Sequence, residues 1–118
     1  KKDLLTERMK IYNKYYAMKT ETHIVERIGD TNYFNVDSYL NNFRPIFFNS
    51  LHILEENIVN KILSIDKNIE VTKLLCGEID NRTDIEIHNE LLVWFAELDL
   101  LIADSIIRYQ KDLENIYE

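Results

Sequence analysis

Glycine and proline are almost missing: two glycines and one proline in 118 residues, against the roughly 12% that globular domains commonly carry. So few backbone breakers disfavour sandwiches and barrels, which need many tight turns, and favour long helices. The single cysteine, Cys76, closes no intrachain disulfide. That excludes the stapled folds of small secreted domains and points to a reducing compartment, the cytoplasm. Long hydrophobic runs are also missing. The longest apolar stretch, Leu91 to Ala96, is six residues, far short of the roughly 20 that cross a bilayer. No apolar run follows Lys1-Lys2, so we expect neither a signal peptide nor a membrane span.

What is present is ordinary for a globular domain: 46% hydrophobic and 30% charged residues, with a formal net charge of −7. The length suits one core, and we expect residues 1–118 to form one domain. The charge is placed unevenly. Residues 1–19 hold six Lys/Arg against Asp3 and Glu7, a balance of +4, whereas residues 74–107 hold eight acids against Arg82 alone, a balance of −7. Such a surface repels nucleic acid and attracts a basic protein.

Hydrophobic spacing predicts the elements. Leu4, Ile11, Tyr15, Met18 and Val25 share one helical face, which predicts a first helix from Asp3 to Ile28 capped by Gly29. Leu40, Phe43, Phe47, Leu51, Leu54, Ile58, Ile62 and Ile65 are in phase. They predict a second helix from Phe43 to Ile65 after a turn at Asp37 to Asn41, or one helix from Asp37 kinked at Pro45. A short helix is expected from Asn68 to Cys76. Thr83-Asp84-Ile85-Glu86 is a capping box, opening a last helix from Asp84 to about Ile116. Strand signals are poor. The expected fold is all-α: a bundle of three long helices and one short one, like a four-helix bundle.

The chemistry-bearing residues form no complete set. His52 and Glu56 stand at i, i+4, His23 lies upstream and Asp104 downstream. Together they resemble part of the hemerythrin arrangement, a four-helix bundle around two irons. That family also needs an H-x-x-x-H pair on its third helix and a histidine on its fourth, and this chain has no histidine between His52 and His88 and none after it. No metal and no cofactor is expected. Arg82 and His88 make an R-x5-H spacing, similar to the R-x4–6-H motif of the HEPN RNases, small helical bundles that act on RNA. The resemblance implies that Arg82 stabilises phosphoryl charge while His88 moves a proton. Against it, Thr83 stands where asparagine commonly follows the arginine, the capping box places Arg82 ahead of the helix, and the local charge repels phosphates. Cys76 has no sequence-local histidine to activate it. Tyr12, Tyr15 and Tyr16, interleaved with Lys10, Lys14 and Lys19, read as a core face beside a lysine face rather than a strand-stacking platform.

Winding the last helix at about 100° per residue sorts its residues into lines. Glu86, Glu90, Glu97 and Asp104 form an acidic stripe with Arg108. Leu91, Phe95, Leu98, Ile102 and Tyr109 form one apolar flank, and Leu92, Ala96, Leu100, Ala103 and Ile107 a second. Two apolar flanks on one helix need cover on both sides, and the second, with its small residues, is the expected homodimer interface. Asp99, at the margin of a packed surface, needs a lysine, arginine or tyrosine hydroxyl as partner. The expectation is therefore a small acidic interaction protein (an inhibitor, an immunity protein or antitoxin, or an assembly subunit). It meets a basic partner through Glu86, Glu90, Glu97 and Asp104 and has no catalytic set, with a HEPN-like RNase or its inactive relative as the alternative.

Overall fold

A computed structural model describes residues 2–76 and 85–117. The chain is mostly helical with one small sheet. Helix α1 spans Lys2–Glu21, strands β1 Val25–Ile28 and β2 Thr31–Phe34 form an antiparallel hairpin, and α2 is Val36–Ser38. A π-helical turn, Tyr39–Phe43, leads into α3, Arg44–Phe48, and a 3-10 turn, Leu51–Ile53, precedes the long helices α4, Glu56–Cys76, and α5, Ile85–Tyr117. Helix α5 packs against α4, α1 and β2, and α1 also packs on α3.

The hairpin replaces the end of the expected first helix. Thr22-His23-Ile24-Val25 brings β-branched residues where the helical pattern is already thin. In addition, Gly29 at φ 63°, with Asp30 not in the positive-φ region, gives the two-residue hairpin turn that wants glycine first. Gly29 therefore takes the left-handed backbone expected of it, but between strands paired Ile28 to Thr31 and Val25 to Phe34, not after a helix. Val25, expected on a helix face, is an exposed strand residue.

The second expected helix is two helical pieces joined by a break. The backbone is helical across Pro45, and the proline acts upstream: it has no N–H for the carbonyl four residues back, and its ring crowds that turn. The preceding turn widens, so that Arg44 N–H bonds the Tyr39 carbonyl five residues back. The break falls later, at Asn49-Ser50, where Ser50 leaves the helical region at φ −138° and Leu54 is extended. The inward residues keep their phase through the break: Phe43, Phe47, Leu54, Ile58, Ile62 and Ile65 are all buried. Ile69 continues the same buried line, so the expected short helix from Asn68 is the end of α4. The Thr83 side of the capping box, like Gly77, lies outside the described residues.

The core centres on Phe95 of α5. Its ring lies 6.0 Å from Tyr15 of α1, 5.8 Å from Phe34 of β2, 6.2 Å from Tyr39 and 5.5 Å from Phe43. Edge-on and tilted rings at these separations add to the burial energy of each aromatic. In α1 the buried leucine is Leu5, with Leu4 exposed, one position from the expected face. Truncating Phe95 to alanine should lower unfolding stability by about 3–5 kcal/mol, read as a fall in the urea midpoint; a loss under 1 kcal/mol would show that the four elements do not depend on this ring.

Candidate functional site: the last helix and its two faces

The inward line of α5 is as expected. Leu91, Phe95, Leu98, Ile102 and Tyr109 are all buried. Two polar ties fix this face to the rest of the chain. Near its middle, Asp99 accepts hydrogen bonds from the Tyr15 hydroxyl at 2.7 Å and from Lys19 Nζ at 2.6 Å, the class of partner its position demands. The ammonium of Lys19 also lies over the Tyr15 and Tyr16 rings. Nearer the C-terminus, Glu55, at the start of α4, accepts from Ser105 at 3.1 Å, from Arg108 at 3.0 Å and from the Tyr109 hydroxyl. Arg8 of α1 donates to the same Tyr109 hydroxyl at 3.0 Å. Sequence reading did not single out Glu55 or Arg8, which meet α5 only through tertiary packing.

Burial acts on the tyrosines. It pushes the Tyr12 hydroxyl up to about 12, with the Glu55 charge adding to the effect. It raises Tyr15 further, with the Asp99 bond and charge adding to it, and raises Tyr39 with help from Asp66.

His88 faces inward at the hairpin. Only 1% exposed, it accepts the buried Phe34 N–H on Nδ1 at 3.1 Å and meets the Tyr33 ring edge-on at 5.3 Å. It thus joins β2 to α5. Arg82 lies outside the described residues. His23, His52 and Glu56 are exposed, and among the described residues no three His, Cys, Asp or Glu side chains converge as a metal site. Tyr12 and Tyr15 are buried, so they offer no rings to a nucleic-acid strand.

The outward side carries the expected acidic and second apolar lines. Glu86 and Glu90 are exposed, with no cation in ion-pair range among the described residues. Glu97 pairs with Lys61 of α4 at 2.6 Å, and Asp104 with Arg108 at 3.0 Å. Of the expected interface flank, Leu92 is half-buried against the core and Ala103 half-buried, whereas Ala96, Leu100 and Ile107 are exposed. Val93, not singled out from the sequence, belongs with them. No described helix is long and apolar enough to cross a membrane.

Comparison with protein-family models, curated proteins and solved structures finds no match to this chain.

Two outcomes are expected. Tyr12 loses its proton near pH 10 in the unfolded chain and near 12 in the folded one. Its contribution is therefore complete below about pH 10 and lost as pH rises towards 12. The urea midpoint of the wild type should fall between about pH 9.5 and 11 more steeply than that of Tyr12→Phe; parallel profiles would contradict it. His88→Leu leaves the Phe34 N–H buried without its acceptor and should cost about 1–3 kcal/mol by urea unfolding, whereas an unchanged midpoint would remove the histidine from the hairpin's support.

Proposed function

We propose that this chain is a non-catalytic interaction module that binds a basic protein through the acidic line of α5. The observation that carries the reading is the state of that line. Glu86 and Glu90 stand exposed with no cation in ion-pair range among the described residues, beside Glu97 and Asp104, which are half-exposed or more. Carboxylates held along a rigid helix, in a chain of net charge −7, raise the encounter rate with a positive surface and fix its register. Glu97 and Asp104 already have cations in their own chain, so among the described residues the uncountered charge of this line is Glu86 and Glu90, toward the N-terminal end of the helix. The inhibitor, immunity-protein, antitoxin and assembly-subunit roles share this chemistry. No observation favours RNA cleavage, because the His88 ring is enclosed and its Nδ1 accepts from backbone.

Affinity capture from the source cells, at about 50 and 500 mM salt, with the wild type and with a Glu86→Lys/Glu90→Lys double variant, tests the reading. A specific protein of basic isoelectric point should be retained by the wild type at low salt, released at high salt and not retained by the double variant. Capture that ignores both salt and charge reversal would overturn it, as would the absence of any basic partner.

A further inference from the structure

A second line on the outward side of α5 is apolar. Val93 is 54% exposed, Leu100 69% and Ile107 56%, and with Ala96 and Ala103 these residues recur at steps of three and four, the spacing of a coiled-coil seam. The line runs about 150° around the helix from the buried one and about 75° from the acidic one. Among the described residues none covers Leu100. Large apolar residues grouped this way mark a contact surface more often than an inert one.

We propose that the seam packs against the same seam of a second copy, with the two α5 helices antiparallel. Three features select this occupant. The first is shape. With the two-fold axis between positions 101 and 102, Leu100 lies against Ala103 of the second copy and Ile107 against its Ala96, so these two large residues each meet a small one, while Val93 falls beside Gln110 at the end of the seam. A parallel pair would set Leu100 on Leu100 and Ala96 on Ala96, alternating crowding with gaps. The second is charge. Along the seam's acidic edge the order is Glu90, Glu97, Asp104 and Lys111. The antiparallel pair brings Glu90 of each copy beside Lys111 of the other, twice, while Glu97 and Asp104 meet with their charges already countered by Lys61 and Arg108. A parallel pair makes no Glu90–Lys111 contact. The third is area. The overlap of the two helices, about 35 Å long and 10 Å wide, covers on the order of 400 Å2 per copy. That is half of the roughly 800 Å2 of a standard specific interface, the size of a weak, reversible association rather than an obligate dimer. The inference is independent of any basic partner. It also sets both acidic lines on the same side of the dimer, because an antiparallel two-fold keeps each edge beside its equivalent.

Sedimentation velocity on the purified chain, from about 5 to 200 µM, tests it without a partner present. The wild type should shift from monomer to dimer across that range. Leu100→Glu, and independently Ala96→Glu, should stay monomeric with unchanged helical circular dichroism. Lys111→Glu should raise the dissociation constant about tenfold, since two pairs turn from attractive to repulsive, and Glu90→Lys combined with Lys111→Glu should recover it. A wild type that is monomeric at the highest concentration overturns the dimer, as does a dimer indifferent to both glutamates in the seam. Failure of the double reversal to recover association overturns the antiparallel arrangement.

Discussion

The fold depends on removing one aromatic ring from water. Phe95 is the meeting point of a helix near the N-terminus, a hairpin strand, a distorted helical turn and the last helix, and none of the four contacts is local in sequence. A short two-stranded hairpin is marginal in water by itself. Here it is held because Phe34 joins the ring cluster and its backbone N–H finds His88. The hydrophobic gain at Phe95 and the satisfied amide at Phe34 are therefore one device: without the second, the strand would bury a bare donor; without the first, it would have no reason to be there.

Around that apolar centre the polar groups act as selectors of arrangement more than as sources of stability. Asp99 with Tyr15 and Lys19, and Glu55 with Ser105, Arg108 and Tyr109, each join α5 to a different neighbour. Half-buried ion pairs of this kind gain little net energy once desolvation is counted, but an arrangement that left either carboxylate buried alone would be heavily penalised. They fix how α1 and α4 are set along α5, and so decide which of its sides remains open.

What was legible in the sequence was the assignment of faces. The inward line of α5, the in-phase run from Phe43 to Ile65, the left-handed backbone at Gly29 and the need of Asp99 for a partner all follow from spacing and chemistry that act within a few residues. What was not legible was the continuity of axes. A turn that keeps the same side inward leaves hydrophobic phase unchanged, so the break at Asn49-Ser50 is invisible to periodicity. The hairpin was missed for a related reason: β1 is exposed throughout, so it has no alternation to read, and β2 owes its burial to α5. At Pro45 the competing principle was relief by widening, in which the helix keeps its course by spending one bond further along. The second flank of α5 was legible as apolar, with Val93 the member that the winding left out.

The hairpin's outer strand has one further consequence. All four residues of β1, Val25-Glu26-Arg27-Ile28, are exposed, and its outer edge is a row of amides and carbonyls without strand partners among the described residues, the kind of template on which chains add to one another without limit. Its length and its centre oppose this. Four residues offer too few bonds to hold an incoming strand, and the adjacent Glu26 and Arg27 would bring their charges against any chain that tried to extend the sheet. The molecule thus keeps an open β edge at its surface while guarding against filament growth from it.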